Sequence, residues 1–326
     1  MSEIGEYMDP DMMKKLKSTG YDAIPVICGP TASGKTSLSI RAAKSLHAEI
    51  CCCDSMQIYR HLTVGTAKPT EEEKREVPHH LIDLVDPDMS FNVASYLDAA
   101  YRKIDELLQR GILPLFCGGT GQYVTALQKG FNFDGMPVDP NREEALRKEY
   151  ETNGIDGIYQ RLISLDPECR EKIHPNNTKR VIHTLALLET NALTTGEIRE
   201  ISVKNGPRYP FVLFAIDWPR DILYSRINKR VDIMLEEGIL KEAEWLLNQN
   251  LPVSCTAMQA IGYKELFPYL EGKKSLDECV DLLKQHSRNY AKRQLTWFRH
   301  MDNVHWIPSD ELDDFDLSAY LFTEYK

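Results

Sequence analysis

The sequence has no C-x-x-C pair, no internal repeat and no apolar run long enough to span a membrane. Its eight cysteines, three of them consecutive at 51–53, are typical of reduced thiols and not of a disulfide framework or a zinc site. Residues 1–20 lack the apolar core of a signal peptide, so we expect an N-terminal extension there. Together these absences predict a cytoplasmic protein that has no contact with a membrane.

The chain also lacks an excess of basic residues. Its 39 Lys and Arg stand against 49 Asp and Glu, which gives a net charge of −10. This balance argues against nucleic-acid binding over the whole surface but leaves room for a local basic face. With 326 residues and a hydrophobic content of 42%, the chain is expected to form one large globular domain and a smaller one.

The most informative segment is an octet that matches the pattern G-x-x-x-x-G-K-[ST]. Its residues, called the phosphate loop below, are Gly29, Pro30, Thr31, Ala32, Ser33, Gly34, Lys35 and Thr36. An apolar run precedes it and a helix-like stretch follows, the context in which such a loop turns backbone N–H groups towards a phosphate. Lys35 adds a positive charge, and Thr36 adds a hydroxyl that can ligate Mg²⁺. The octet therefore predicts a site for a di- or triphosphate.

Strand-like and helix-like segments alternate around this loop. Strands are predicted at 24–28, 49–53, 80–85, 112–117 and 211–216, and helices at 36–47, 92–110 and about 220–237, 239–249, 256–268 and 275–300. Residues 141–200 are polar and helix-like and show no strand signal. The predicted fold is therefore α/β. A P-loop NTPase-like parallel sheet flanked by helices is formed by 21–135 and 208–326, and a small all-helical insertion domain is formed by 136–207.

Polar residues follow several of the predicted strands, at the end of the sheet where ligands bind. Asp54 follows the second strand and could be a carboxylate near Mg²⁺, a general base or a solvated helix cap. Gly118-Gly119-Thr120-Gly121 follows a later strand and is either a second nest of backbone donors or a plain turn. Asp217 follows another strand, and its position is like that of a metal-binding acid.

Two helices carry basic residues whose role the residues alone leave open. Arg226 and Arg230 are four apart, so they share a helix face and could clamp phosphate oxygens or form a solvated stripe. The last long helix has five Lys or Arg and no acid between Lys284 and His300, with aromatic residues interleaved. This pattern suits an RNA backbone and unstacked bases, although the aromatic side chains could equally belong to the core.

Taken together, these stretches resemble the tRNA dimethylallyltransferase (isopentenyl tRNA transferase) family. The matching segments are GPTASGKT at 29–36, DSMQIYRHLTVGTAKPT at 54–70, PHHLIDLVDP at 78–87, GGTGQY at 118–123, HPNNTKRVIHTLALLE at 174–189, RINKRVDIMLEEGIL at 226–240, QAIGYKEL at 259–266 and KRQLTWFR at 292–299. They occur in family order over about residues 24–306. Many NTPases share the phosphate loop alone, but the combination is highly specific.

The resemblance implies a reaction. A dimethylallyl group moves from dimethylallyl diphosphate to N6 of the adenosine 3′-adjacent to the anticodon, in tRNAs that read codons starting with U, and diphosphate is released. The implied cofactor is Mg²⁺, and the partners are dimethylallyl diphosphate and the tRNA anticodon stem-loop; we expect a monomer. The chemistry fits, because an allylic diphosphate needs its leaving charge neutralised and the adenosine amine needs a proton acceptor.

Site residues carry over from the family one by one. The implied catalytic residues are Asp54, Lys35, Arg230 and Thr120. Asp54 would accept the amine proton, Lys35 and Arg230 would hold the diphosphate oxygens, and Thr36 would bind the metal. The implied tRNA contacts are Asp54, Ser55, Met56, Gln57, Thr120, Lys179, Arg180, Val181, Ile182, His183, Gln259, Ala260, Ile261, Gly262, Tyr263, Lys264, Lys292, Arg293, Gln294, Trp297 and Arg299.

Three other functions remain open at this point: a P-loop kinase for a small metabolite, an adenylate isopentenyltransferase for a free nucleotide, and a non-catalytic RNA-binding module. The basic aromatic helix and the helical insertion count against the first two, since a small substrate needs neither. The phosphate loop counts against the third.

Overall fold

The computed structural model describes residues 10–133 and 136–324. The chain divides into two compact units. Among the described residues, those within 129–208 form one, called the helical unit, and 10–128 with 209–324 form the other, called the sheet unit. The sequence places the insertion at 136–207, within the bounds of the helical unit.

The sheet unit contains a six-stranded parallel sheet in the order β3-β2-β4-β1-β5-β6. The strands are β1 Ile24–Cys28, β2 Ala48–Cys52, β3 His79–His80, β4 Leu113–Gly118, β5 Phe211–Asp217 and β6 Val304–Pro308. β1 and β2 are buried along their whole length, as expected of central strands between layers of helices. The predicted α/β fold with a parallel sheet is therefore confirmed.

The helices connect these strands and build the helical unit. In chain order they are α1 Pro10–Lys17, α2 Lys35–Leu46, α3 Glu71–Glu76, α4 Val93–Gln109, α5 Gly121–Lys129, α6 Pro140–Asn153, α7 Asp156–Leu165, α8 Cys169–Lys172, α9 Thr178–Asn191, α10 Thr195–Val203, α11 Arg220–Glu236, α12 Ile239–Leu247, α13 Phe267–Leu270, α14 Leu276–Arg299 and α15 Leu317–Glu324. The predicted helices at 220–237 and 275–300 correspond to α11 and α14 and are confirmed.

The strand register brings three loops to one end of the sheet. Cys28, the last residue of β1, pairs with Gly118 on β4 and with Ala215 on β5. The three strands therefore end at nearly the same level, where parallel sheets bind their ligands. The phosphate loop, the Gly-rich loop after β4 and the segment after β5 all leave the sheet there.

The sheet differs from its prediction at both edges. β3 spans two residues instead of 80–85, because Leu81 and Asp83 have φ values of 61° and 55°, which end an extended strand. β6, at the opposite edge, has no counterpart among the predicted strands, although Val304 pairs with Leu213. Five residues between a long helix and a polar segment give only a weak strand signal.

The helix predicted at 256–268 is wrong. The segment begins with a 3-10 turn at Ala257–Gln259 and continues as turns up to α13. Gly262 takes a φ of 109°, and its N–H donates to Oε2 of Glu265 at 2.9 Å. A residue in this left-handed conformation interrupts the helix that the apolar pattern indicates.

The helical unit consists of α6–α10 and contains no strand among its described residues, 129–133 and 136–208. Its core is made of apolar side chains between Met136 and Ile198. Asp166, at the end of α7, accepts hydrogen bonds from both the backbone N–H and the hydroxyl of Thr195, the first residue of α10. This contact ties two helices of the unit together at their ends.

Part of the predicted N-terminal extension, residues 1–9, lies outside the described residues. Its remainder contains α1, whose Leu16 is fully buried and which packs against α4. None of the described helices combines the length and the apolarity that crossing a membrane would require.

Candidate active site

The phosphate loop runs from β1 to α2 in a conformation that depends on its glycines. Gly29 and Gly34 have φ values of 131° and 94°, in the left-handed region that side chains disfavour. Lys35 follows as the first residue of α2, so the loop ends at a helix N-terminus, which attracts anions. The Lys35 ammonium donates to the Pro30 carbonyl at 2.6 Å, which holds this charge at the loop.

Two side chains from the segment after β5 hold the phosphate loop in place. The Trp218 indole Nε1 donates to the Ser33 carbonyl at 2.9 Å, and Nε of Arg226 donates to the Ala32 carbonyl at 2.9 Å. The Arg226 guanidinium also lies 4.3 Å from the centre of the Trp218 ring, a cation–π contact. The loop is therefore positioned by residues almost two hundred positions further along the chain.

Asp54 lies just beyond β2, in a turn that the Gly-rich loop after β4 supports. Its Oδ1 accepts the Met56 N–H at 2.9 Å. The Thr120 N–H donates to the Cys53 carbonyl at 3.2 Å, and the Ser55 N–H donates to Oγ1 of Thr120 at 2.9 Å. Thr120 therefore fixes the backbone on both sides of Asp54.

Asp54, Lys35 and Arg230 form a group of interacting, partly buried charges. Burial raises the pKa of the Asp54 carboxyl, against the opposing effect of the nearby Lys35 and Arg230 cations. Burial also lowers the pKa of Lys35 and that of Arg230. Such shifts are common at catalytic sites, where ionisable groups are held together with little water.

Two buried polar atoms at this site have no hydrogen-bond partner within the described part of the chain: Nε of Arg230 and Oγ of Ser33. Ser33 belongs to the phosphate loop. Buried polar groups in proteins are normally paired, so an external hydrogen-bonding group is expected to complete the site. Because Arg230 and Lys35 are cations, that group is best supplied by an anion.

The structure distinguishes the roles of Arg226 and Arg230, which the sequence alone does not distinguish. Arg226 is exposed, and its guanidinium is already engaged by a loop carbonyl and by the Trp218 ring. Arg230 is half-buried and interacts with Asp54 and Lys35. Arg230 is therefore the better candidate for holding a phosphate.

Gln294 of α14 joins the two loops of the site. Its Oε1 accepts the Thr31 N–H at 2.9 Å, and its Nε2 donates to the Gly119 carbonyl at 2.8 Å. A β-carbon at position 119 would lie 2.3 Å from Nε2, so a larger residue there would displace the Gln294 amide from these contacts. The Gln294 side chain is 5% exposed, which leaves it little freedom for the tRNA contact that the resemblance implies.

Tyr290 was not identified as a site residue from the sequence. Its hydroxyl interacts with the side chains of Thr120 and Gln294, and burial, followed by the nearby Asp54 carboxylate, raises its pKa. Tyr290 lies four residues before Gln294, so both project from the same face of α14. That spacing is the sequence signal that could have identified it.

The basic residues of α14 divide into two groups. Lys284 pairs with Asp232 at 2.6 Å, and Arg288 donates to Oδ1 of Asn228 at 2.6 Å; both partners lie on α11. These two residues therefore hold helices together. The remaining basic residues of the helix are all exposed: Lys292, Arg293 and Arg299.

Trp297 is 46% exposed, yet it also supports the Gly-rich loop after β4. Its Nε1 donates to Oγ1 of Thr125 at 3.0 Å. Its ring covers Gly121, where a β-carbon would lie 2.4 Å from the indole. One part of this aromatic side chain is therefore structural, and the other part faces solvent.

The side chains for which the resemblance implies tRNA contact differ widely in accessibility. Buried in hydrophobic cores are Val181, Ile182, Ala260 and Tyr263. Half-buried are Asp54, Ser55, Met56, Gln57, Thr120, Ile261 and Lys264. Exposed are Lys179, Arg180, His183 and Gln259. The buried members shape these segments and do not offer their side chains to a partner.

Glu242, which sequence reasoning missed, holds the segment 63–65 in place. Its carboxylate accepts the N–H groups of all three residues and the Tyr263 hydroxyl, the latter at 3.1 Å. On the other side of this segment, Nε2 of Gln57 donates to the Thr66 and Ala67 carbonyls at 3.1 and 3.0 Å. The GTAKP motif is therefore held by hydrogen bonds with Gln57, which is close to Asp54, and with Glu242 on α12.

Two further motifs have structural partners. Oδ1 of Asp217 lies 3.5 Å from Nη2 of Arg299, so this carboxylate pairs with α14. Nε2 of His80 lies 2.6 Å from Oε2 of Glu49, which also pairs with Arg110 at 2.7 Å. The His79-His80 pair is thus tied to the edge of the sheet.

Comparison with known proteins extends these observations. Residues 57–301 match the sequence model of the IPP transferase family. The tRNA dimethylallyltransferases of Acetivibrio thermocellus and Bacillus subtilis are 47% and 45% identical to this chain, and each alignment covers 90% of this chain and 93% of the relative.

Solved structures show the same relationship. The tRNA isopentenylpyrophosphate transferase of Bacillus halodurans aligns with a TM-score of 0.65 and 41% identity, over 93% of this chain and 94% of that chain. A eukaryotic dimethylallyltransferase that acts on tRNA aligns with a TM-score of 0.77 and 27% identity, over 92% of this chain and 77% of that chain. The likeness thus extends over both units.

Proposed function

Since the chain belongs to the IPP transferase family, we propose that it transfers the dimethylallyl group of dimethylallyl diphosphate to N6 of the adenosine 3′-adjacent to the anticodon. Membership of the family makes it a prenyl-transferring enzyme with tRNA as its acceptor. What we propose beyond family membership is the donor, the acceptor atom and the set of tRNAs, which are those that read codons starting with U.

The observation that carries the proposal is the group formed by Lys35, Arg230 and Asp54. Two cations with pKa values lowered by burial, next to the unpaired Ser33 hydroxyl of the phosphate loop, favour a polyanion such as diphosphate. A carboxyl with a raised pKa beside them is suited to accept a proton near neutral pH. A kinase can use the same two features, since it also needs a base for its acceptor hydroxyl, so membership of the family is what favours prenyl transfer.

The proposed reaction uses these groups in one displacement. The bond between C1 of the dimethylallyl group and the diphosphate oxygen breaks, and a bond between C1 and adenosine N6 forms. The leaving diphosphate takes the electron pair and is held by the phosphate loop, Lys35 and Arg230, whose charges stabilise it most as it departs. Asp54 accepts the N6 proton, and Thr120 keeps the Asp54 turn in position.

The residues present fit Mg²⁺ as an ion shared with the substrate. Among the described residues no cluster of three His, Cys, Asp or Glu side chains could hold a metal by itself. Thr36, half-buried in the first turn of α2, offers a hydroxyl oxygen, and diphosphate oxygens and water would complete the shell, as Mg²⁺ commonly binds with phosphate substrates. When bound, the ion would neutralise charge on the leaving group.

Labelled dimethylallyl diphosphate tests the proposal directly. The protein is incubated with it and with total tRNA or AMP, and in a parallel reaction with ATP and small metabolites. We expect label in tRNA, in a nucleoside that co-migrates with N6-(dimethylallyl)adenosine after digestion. Label in AMP would indicate a free-nucleotide isopentenyltransferase, and phosphoryl transfer from ATP would indicate a kinase. Either result would contradict the proposal.

The two arginines of α11 provide a matched comparison. We expect Arg230→Ala to lower the transfer rate by about 10²-fold or more, because its charge acts on Asp54 and Lys35 and its buried Nε has no partner in the described part of the chain. Arg226→Ala should cost clearly less, since its contacts are to Ala32 and Trp218 and reach a substrate only through the loop. Rates of both variants are measured with saturating tRNA and dimethylallyl diphosphate. The opposite ranking would show that the role of Arg230 is misassigned.

A further inference from the structure

The proposed reaction does not use a pocket of about 810 Å³ in the sheet unit. Its wall is formed by the segment after β5, the end of β6 and one face of α14. The volume lies in the range of small-molecule sites in proteins. Three aromatic and three basic residues dominate the lining: Trp218, Tyr224, Trp306, Arg220, Lys292 and Arg299.

Two of the rings that line this pocket each have a guanidinium group nearby. The Arg220 guanidinium lies 5.1 Å from the centre of the Tyr224 ring, and the Arg299 guanidinium lies 5.9 Å from the Trp306 ring. Aromatic rings and guanidinium planes are the surfaces on which proteins stack unpaired nucleobases, and the charges meet the phosphates. This composition suits a nucleotide better than a purely apolar ligand, because the lining combines aromatic rings with charged side chains.

The pocket shares a wall with the active site. The Trp218 indole lines it and also donates to the Ser33 carbonyl of the phosphate loop. On α14, Lys292 and Arg299 are seven residues apart and face the pocket, while Gln294 is turned to the loops on the other side. One face of α14 thus contacts the loops of the active site, and another face lines the pocket.

We propose that this pocket binds one unstacked nucleotide of the RNA substrate, next to the adenosine that reacts. The base stacks on Trp306 and Tyr224, and the adjoining phosphates meet Lys292 and Arg299. This inference rests on the proposed function for the identity of the substrate.

A nucleotide within an RNA chain fits this pocket better than a free nucleotide does. Arg293 and Trp297 are exposed on the adjoining face of the same helix, where the RNA chain would continue beyond the bound nucleotide. Arg299 is shared with Asp217, and Asp310 also lines the pocket, so its excess positive charge is small. A free nucleotide with its terminal phosphate would need a stronger clamp than this.

Variants of the pocket test the inference in the full-length protein. We expect Trp306→Leu to raise both the Kd and the KM for tRNA by about 5- to 100-fold, the usual range for losing one stacking contact. Lys292→Gln, which removes a phosphate contact, should also raise the Kd for tRNA. Lys292→Gln should also reduce the salt dependence of binding by about one unit of slope. In Trp306→Leu, the KM for dimethylallyl diphosphate and kcat at saturating tRNA should not change. Trp306→Phe keeps an aromatic face and should restore most of the affinity.

Controls separate this result from charge loss and unfolding. Lys241→Gln removes the same charge from an exposed position on α12 and should leave tRNA binding unchanged. Thermal melting of each variant checks folding. Should Trp306→Leu disturb β6, Tyr224→Leu, which alters α11 instead, repeats the test from another element.

Two outcomes would overturn the inference. One is unchanged tRNA affinity in Trp306→Leu, Tyr224→Leu and Lys292→Gln. The other is a pocket that serves free nucleotides, seen as quenching of wild-type tryptophan fluorescence by AMP that is lost in Trp306→Leu while tRNA affinity stays the same. The binding comparison does not need prenyl transfer, so failure of the proposed reaction would be seen separately, in the wild-type assay.

Discussion

Replacing Asp54 by Asn is expected to lower the rate of dimethylallyl transfer by about 10²- to 10⁴-fold, the usual contribution of a positioned proton acceptor. Affinity for tRNA and for dimethylallyl diphosphate should stay near that of the wild type, because an amide oxygen can still accept the Met56 N–H that Oδ1 of Asp54 accepts. Single-turnover rates at saturating substrates, together with the Kd for each substrate, provide the measurement.

The same variant distinguishes the two chemical roles that the sequence leaves open for Asp54. If Asp54 is the proton acceptor, added Mg²⁺ should not restore the rate of the Asn variant. If Asp54 is a Mg²⁺ ligand, its loss should raise the metal requirement, and excess Mg²⁺ should recover much of the rate. Substantial rescue by Mg²⁺ would therefore refute the assignment of Asp54 as general base.

The pH dependence of transfer gives a second readout for Asp54. The carboxyl must be ionised to accept a proton, and burial raises its pKa. The rate should therefore rise with pH through a pKa that is higher than that of an ordinary aspartate, and this limb should disappear in Asp54→Asn. The ionised form is the one disfavoured by burial, so above that pKa the neutral Asn should not lower the melting temperature.

Lys35→Ala is expected to weaken binding of dimethylallyl diphosphate and to slow the chemical step, with a combined loss of about 10²- to 10³-fold in kcat/KM. The ammonium lies at the loop, 2.6 Å from the Pro30 carbonyl, where the leaving diphosphate develops its charge. Kinetics at varied dimethylallyl diphosphate and fixed saturating tRNA separate the two effects.

Lys44→Ala is the matched control for this variant. Lys44 lies on the same helix, but its side chain is 54% exposed and pairs with Glu76 at the surface. Its replacement should leave both kinetic constants unchanged, since an exposed ion pair contributes little. Wild-type kinetics in Lys35→Ala would mean that the phosphate loop does not hold the diphosphate.

Part of the candidate site could be predicted from the sequence because it is encoded locally. The phosphate loop is a continuous octet between a strand and a helix, so its conformation and its anion preference follow from adjacent residues. Asp54 and the Gly-rich loop after β4 each end a predicted strand, and parallel strands deliver their carboxyl ends to one edge. The resemblance to a family then gave these groups chemical roles that spacing alone could not.

Other parts could not be predicted, because helical spacing does not show what lies opposite a helix face. Arg226 and Arg230 share one face in the sequence, yet only Arg230 leaves a buried donor unpaired at the site. The basic stretch of α14 left RNA binding and a structural role open, and the structure shows that Lys284 and Arg288 bind α11. The helix predicted at 256–268 failed for a similar reason, since the apolar pattern reports burial without specifying the turn at Gly262.

The sequence by itself thus determined the parallel α/β fold, the phosphate loop and the position of Asp54, because each depends on short-range patterns of apolar residues, glycines and charges. Only the tertiary structure decided how these parts work as one site. Gln294 reaches Thr31 across 263 positions of sequence, and Glu242 holds a loop 177 or more positions away. Such contacts form when the sheet brings its loops together, and no local pattern encodes a partner at that distance.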